Sequence, residues 1–358
     1  MLEMNGMAGI EALLCAPSRR YPRNSEADVA MLPDGALLLA YTRFDGLGDD
    51  EPACIVGRRS ADRGRTWTDD EVLQENDAAL NCMSASLLVL ESGELLLFYL
   101  RKNSATDCQV WVKRSSDGGR TWVGATSLHT EPGYYVVANS RASRLSSGRL
   151  IVPFSRCEDA RGPEGGSGHY RSSCFLSDDE GRSWRLASSW VDLPRRGAME
   201  PAVAELSDGS LVMLVRSQLG RIYCARSTDG GETWAAPELV ELVSPEAPCA
   251  LRRVPGRGDL LLVWNDNYDR GMPHGGLRCP LRAAVSPDGR RWCRFRTLEA
   301  NPDYDYSYPS ITFVNGEVVL TYYARERASG YVGLRMRVLP LQWFYQLEDE
   351  LLRSAIYA

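Results

Sequence analysis

Histidine is scarce, with three in 358 residues, at positions 129, 169 and 274. A histidine-rich metal centre is therefore not expected. The ten cysteines offer no substitute, because they are scattered with no Cys-x-x-Cys pair and no metal-ligand spacing. Several lie in apolar runs and read as buried, reduced thiols. Net positive charge is missing too: 41 Lys and Arg stand against 47 Asp and Glu, a balance of −6. That balance gives no bulk attraction to nucleic acid or to an anionic membrane, so any cationic site must be local. Residues 1–14 have no basic stretch ahead of their mildly apolar run, and their longest uncharged run is too short to span a bilayer. The expectation is a soluble, cytoplasmic chain that uses no cofactor.

What the chain does have is a repeat. Residues 199–234 read as an alternating strand, a Ser-Asp-Gly turn ending at Gly209, an apolar strand stopped by Arg216, a third strand, and the octapeptide STDGGETW. The octapeptide recurs as SADRGRTW (60–67), SSDGGRTW (115–122) and SDDEGRSW (177–184), and as the shortened SPDGRRW (286–292). A hairpin glycine recurs independently at Gly35, Gly93, Gly148, Gly209, Gly258 and Gly316, at intervals of 49 to 61 residues. A meander cannot bury both faces alone, but stacked copies can. Six copies without a linker predict an all-β, single-domain, six-bladed β-propeller over residues 1–358. Its blades are expected at about 24–67, 82–122, 138–184, 200–234, 248–292 and 308–339. Residues 10–16 would add an outer strand that closes the ring, and the tail from Leu341 holds a short helical pattern. Ser, Asp and Gly at the octapeptide offsets build a hydrogen-bonded turn, so these copies are read as scaffold rather than chemistry.

Residues at equal offsets from each turn should form rings about the axis. Counting forward from the hairpin glycines, the second strands end in Arg43, Arg101, Arg156, Arg216 and Arg325, with Asn265-Asp266 in the fifth blade. Like charges gathered on one axis repel unless an anion or carboxylates sit among them. Counting back nine residues gives Glu26, Ser84, Asn139, Glu200, Cys249 and Ser307, with Tyr308 beside the last. Carboxylates and a tyrosine facing arginines suit an anionic, hydroxyl-rich ligand. On this count Arg43, Arg101, Arg156, Glu26 and Asn139 are candidate substrate-binding residues.

The octapeptides resemble the Asp-box repeats of the sialidase-like (BNR-repeat) superfamily, over essentially the whole chain. The resemblance implies three arginines that clamp a sugar carboxylate, a tyrosine nucleophile paired with a glutamate, and an aspartate acid/base. Glu200, followed by the turn and Arg216, resembles the family's glutamate and second arginine. Arg278 in LRCPL resembles the third arginine, and Tyr308 in YSYPSI the tyrosine. Sialidases usually open with Arg-Ile-Pro; here the matching stretch is Tyr21-Pro-Arg23-Asn-Ser25-Glu26, which makes Arg23 the expected first clamp. The acid/base is expected in RFDGLGDDEPA, which offers Asp45, Asp49 and Asp50, with Asp50 preferred and Asp49 next.

The resemblance thus implies a retaining exo-glycosidase that releases a terminal acidic sugar from an acidic glycan. A bidentate guanidinium fork grips a carboxylate with about 4 kcal/mol of Coulomb energy at roughly 4 Å and a dielectric near 20. A neutral phenol suits an anomeric centre that bears a carboxylate, since an anionic nucleophile would be repelled. The departure at Arg23 leaves room for a related nonulosonic or uronic acid. Two alternatives stay open: a propeller polysaccharide lyase acting on uronates, and a carbohydrate-binding propeller without turnover.

Overall fold

Strands that are apolar on both faces must be buried on both, because successive side chains point to opposite sides. The computed structural model describes residues 9–159 and 168–346. Among the described residues there are 25 strands. In chain order they are β1 (Ile10–Cys15); β2 (Arg23–Met31), β3 (Leu37–Phe44), β4 (Ala53–Ser60) and β5 (Glu71–Gln74); and β6 (Asn81–Val89), β7 (Leu95–Lys102), β8 (Cys108–Ser115) and β9 (Val123–Ser127). Next come β10 (Tyr134–Val136), β11 (Ser143–Arg144), β12 (Leu150–Cys157), β13 (Tyr170–Ser177) and β14 (Arg185–Leu186), then β15 (Met199–Glu205), β16 (Leu211–Arg216), β17 (Arg221–Ser227) and β18 (Glu238–Val243). The last are β19 (Ala250–Arg253), β20 (Leu260–Asn265), β21 (Leu281–Ser286) and β22 (Cys293–Glu299), followed by β23 (Tyr304–Val314), β24 (Glu317–Glu326) and β25 (Val332–Pro340).

Hydrogen bonding among the described residues gathers these antiparallel meanders into four sheets. The sheets number four because single parallel pairs, Arg23 with Val332 and Tyr134 with Cys108, tie the last meander to the first and the second to the third. β1 lies antiparallel against β25. The helical pattern after residue 340 is one 3-10 turn, Leu341–Phe344, and residues 347–358 lie outside the described residues.

The unbroken apolar run of β3 shows where the core sits. Leu37, Leu39 and Tyr41 pack with Val319, Leu334 and Met336 of the last meander, while Leu38 and Ala40 pack with Leu87, Leu95 and Leu97 of the second. β16 behaves likewise, sending Leu211, Met213 and Val215 to one neighbour and Val212 and Leu214 to the other. Among the described residues six apolar clusters arise in this way, each between successive meanders and the sixth between the last and the first. Each fully buried Leu or Val contributes about 1.5–3 kcal/mol.

The turns explain the repeat. All six hairpin glycines have φ between 80° and 92°, a left-handed conformation that costs a β-carbon dearly. At Gly35 and Gly316 a β-carbon would meet nothing within 4 Å, so glycine is there for its backbone and not for space. In the octapeptides the serine hydroxyl accepts from the glycine amide and the aspartate accepts from the residues before the tryptophan. In the first copy Gly64 N donates to Ser60 Oγ at 2.7 Å, and Thr66 N and Oγ1 donate to Asp62 at 2.8 and 2.6 Å. The same bonds recur at Asp117, Asp179 and Asp229.

Candidate active site

The first strands of four meanders share a fault at a matching position. In β2 the register slips between Ser25 and Asp28, so Glu26 and Ala27 together face Tyr41. The same slip sets Ser84 and Ala85 against Tyr99, Glu200 and Pro201 against Val215, and Tyr308 and Pro309 against Tyr322. Two residues against one is a β-bulge, which bends a strand and re-aims a side chain. The first residue of each pair is left-handed: φ is 56° at Glu26, 61° at Ser84, 40° at Glu200 and 52° at Tyr308. Such a residue costs about 1–3 kcal/mol, and strain of this kind gathers at functional positions. Pro201 and Pro309 lack an N–H and so suit a bulge.

The bulges turn these side chains toward one another. Tyr308 Oη donates to Glu200 Oε1 at 2.9 Å, and Arg216 Nη1 meets Glu200 Oε2 at 2.5 Å. Arg278 holds Tyr323 Oη at 2.6 Å and lies 5.7 Å over the Tyr308 ring. Arg23 grips Glu26 Oε1 at 2.9 Å and Asp49 Oδ1 at 2.5 Å, while Ser84 Oγ holds the other Glu26 oxygen at 2.9 Å. Burial drives the Tyr308 phenol well above its ordinary pKa and Glu200 adds to the rise, against the opposing pull of Arg216 and Arg278. The phenol is therefore neutral at neutral pH and loses its proton only to a neighbour in contact. Burial also pushes the Glu26 carboxyl up, against Arg23 and Ser84.

The sequence-predicted residues divide into two groups. Tyr308, Glu200, Arg23, Arg216, Arg278 and Glu26 converge. Asn139 is a strut beneath them, its Nδ2 donating to the carbonyls of Ala27 at 2.6 Å and Tyr308 at 3.1 Å. Arg43, Arg101 and Arg156 do not join this group. Each is held by its own acid and its own aromatic: Arg43 by Asp70 and Tyr21, Arg101 by Asp77 and Trp111, Arg156 by Glu131 and Tyr135. The reason is register. Arg216 pairs with Met199, one residue before the bulge, and the residues so paired elsewhere are Thr42, Leu100 and Tyr323. A one-residue slip turns a strand side chain to the other face. Arg325 is exposed.

In the acidic loop, Asp49 and not Asp50 lies on Arg23. Asp50 instead pairs with the buried Lys102 at 2.5 Å. Burial would raise the Asp49 carboxyl, but Arg23, with Lys102 and Arg278, outweighs it and holds the pKa below the ordinary carboxylate value. Sequence reasoning missed Lys102, whose neighbour Arg101 drew the count, and Glu246. The Glu246 side chain is fully buried and accepts from Arg196, Arg216 at 3.4 Å, Gln218 at 3.1 Å and His274 at 3.3 Å. Its only signal was an acid in the proline-flanked stretch PEAP.

A cavity of about 620 Å³ lies around Asp28, Leu87, Arg144, Arg252 and Phe313 and contains none of the converging residues. Volume alone is a poorer guide here than the meeting of a phenol, carboxylates and guanidinium groups. A cavity of about 190 Å³ adjoins Glu246 and His274. Among the described residues no group of three or more His, Cys, Asp or Glu side chains could hold a metal ion, and no helix is long and apolar enough to cross a membrane.

The profile of the BNR repeat-like domain family matches residues 72–320. The chain is similar to a sialidase of Micromonospora viridifaciens, 29% identical over 357 residues, covering 85% of this chain and 50% of that protein. It is also similar to a sialidase of Bacteroides fragilis (strain YCH46), 24% identical over 225 residues, covering 59% of this chain and 38% of the other. The chain spans about half the length of the curated relatives it matches. Among solved structures, Trypanosoma rangeli sialidase in complex with 2,3-difluorosialic acid has a TM-score of 0.74 at 15% identity, covering 97% of this chain and 62% of that one. A Dyadobacter fermentans protein of unknown function has a TM-score of 0.75 at 20% identity, covering 94% and 99%. At these identities the structural likeness speaks for the all-β sialidase-like fold alone.

Proposed function

We propose that this chain, which belongs to the BNR repeat-like domain family of the sialidase-like superfamily, is a retaining exo-glycosidase that releases a terminal carboxylated sugar from an acidic glycan. The scaffold in this reading is a single six-bladed propeller with Asp-box turns, supported by the six glycine hairpins and by the six apolar clusters that run from meander to meander and back to the first. The observation that carries the function is the 2.9 Å bond from Tyr308 Oη to Glu200 Oε1, with Arg216 on the same glutamate and Arg278 over the phenol ring.

In the reaction, Arg23, Arg216 and Arg278 hold the sugar carboxylate and set the anomeric carbon against Tyr308 Oη. Tyr308 attacks as its proton passes to Glu200, and an aspartate protonates the departing glycosidic oxygen. Water then attacks the glycosyl–tyrosine with the same aspartate as base, and Glu200 returns its proton to the phenolate. Asp49 fits the aspartate's role better than Asp50, because it sits on Arg23, beside the carboxylate clamp, while Asp50 is tied to Lys102.

Two incubations test the reading: one with a fluorogenic sialoside, the other with a uronate polymer followed by ultraviolet absorbance. Release of the fluorophore supports it. An unsaturated product would overturn it in favour of a lyase, and no product in either would leave a binding protein. Arg278→Ala is expected to weaken a carboxylated ligand by about 1.5–3 kcal/mol, roughly 10- to 150-fold, the worth of a hydrogen bond to a charged group. Titration calorimetry with a carboxylated sugar and its neutral analogue reads this, and an equal loss for the neutral sugar would count against the clamp.

A further inference from the structure

We propose that Asp49 is a latch on Arg23: the carboxylate of the incoming sugar takes its place on the guanidinium, and the released Asp49 side chain turns to the glycosidic oxygen as the acid. This inference rests on the carboxylated-sugar reading above and adds to it how the acid is armed.

The argument starts from the occupancy of Arg23. Its Nη2 is bound to Glu26 Oε1 at 2.9 Å, its Nη1 to Asp49 Oδ1 at 2.5 Å and to the Leu47 carbonyl at 3.4 Å, and its Nε to Ser25 Oγ at 3.2 Å. A bidentate grip on a second carboxylate needs two N–H groups on one edge, and no edge is free. One bond must yield. Glu26 is buried and pinned from its other side by Ser84, whereas the Asp49 side chain is 73% exposed. Asp49 is the partner that can leave.

The loop is built so that only the side chain need move. Asn81 Nδ2 holds the Asp49 carbonyl at 2.9 Å and the Glu51 carbonyl at 3.0 Å, Lys102 Nζ reaches the Asp49 carbonyl at 3.3 Å, and Lys102 also binds the Asp50 carboxylate. With the main chain tied at these points, rotation about the Cα–Cβ bond frees the Asp49 carboxylate.

The exchange also moves a proton. Asp49 faces Arg23 and Glu26 from β2, Lys102 from β7, Tyr134 from β10, Arg278 from the segment after β20, and Asp50 and Glu51 in its own loop. Arg23 is the strongest of the charges that keep it ionised in the free protein. A ligand carboxylate on Arg23 neutralises that charge, so Asp49 gains proton affinity as it turns away. Binding a carboxylated sugar thus raises the proton affinity of the acid, and a neutral glycoside leaves it latched and ionised. The latch discriminates through kcat as well as KM.

The test uses the 2,3-dehydro derivative of sialic acid as probe, in titration calorimetry at about pH 5, just above the ordinary carboxylate range, in two buffers of different ionisation enthalpy. The wild type is expected to take up a proton fraction on binding. Asp49→Asn is expected to take up fewer protons than the wild type, the remainder falling to the raised Glu26 carboxyl on the same guanidinium, and to bind the probe about tenfold tighter, because its internal competitor is gone. The same variant should lose roughly a hundredfold or more in turnover of a glycoside with a poor leaving group, the usual worth of a general acid. Asp50→Asn removes the same charge from the same loop and should change neither uptake nor affinity. Unchanged or weaker binding by Asp49→Asn, or equal tightening by Asp50→Asn, would overturn the latch while leaving the carboxylated-sugar reading intact. Failure of the probe to bind any of the three proteins would overturn both.

Discussion

Tyr308→Phe is expected to lower turnover of a sialoside at least about a thousandfold, the scale of losing a nucleophile, while the affinity for product changes little. The ring and its contacts remain: Tyr323 stays 5.7 Å away and Arg278 stays over the face. What goes is one oxygen, the only atom at this position able to bond to an anomeric carbon. Folding should suffer by only about 1 kcal/mol, because Glu200 keeps Arg216 on its other oxygen. Initial rates, product affinity by calorimetry and intact mass after quenching separate the cases. The wild type should show a glycosyl adduct and the variant none. A variant that still turns over would remove the phenol from the chemistry, and one that loses affinity and rate together would make Tyr308 a binding residue.

Much of the architecture was legible because it rests on local chemistry. A glycine that must be left-handed, an aspartate that must collect two amides, and a strand apolar on both faces each leave a mark in a few consecutive residues. The four sheets were not legible, since Arg23–Val332 and Tyr134–Cys108 depend on how whole meanders lean on one another. The site divides along the same line. Counting from the turns found Glu26, Ser84 and Glu200 because the bulge lies at a constant distance from the hairpin in those strands. It missed by one at Asn139 and Ser307, where the left-handed residues are Ser140 and Tyr308. Counting forward failed for Arg43, Arg101 and Arg156, because an error of one residue is harmless along a helix turn and inverts the facing of a strand. Glu246 belongs to no strand, so no offset could have found it.

Glu246→Gln should be the most damaging single change to stability in this region. The carboxylate has no exposed side-chain surface and is shared by Arg196 and Arg216, with Gln218 and His274 completing its bonds. Removing one partner of a buried charge pair typically costs about 3–5 kcal/mol, because the remaining charge has lost its compensation. Glutamine keeps the shape and removes only the charge. The pH dependence identifies the cause. Burial would raise the Glu246 carboxyl, but Arg216 and Arg196 outweigh it and hold the folded-state pKa below the ordinary 4.5. A carboxyl depressed in the folded state adds stability that is complete above the unfolded value and is lost as the pH falls through the folded one. The gap between wild type and Glu246→Gln should therefore be full at neutral pH and shrink below about 4.5. Urea unfolding of both proteins at neutral pH and near pH 4 reads this directly. A gap that stays constant would mean that the glutamate acts through shape and hydrogen bonds rather than charge. Because Arg216 is also the partner of Glu200, the same substitution should raise KM for a carboxylated glycoside more than it lowers kcat. A loss confined to kcat would place Glu246 with the Tyr308–Glu200 pair instead of behind the clamp.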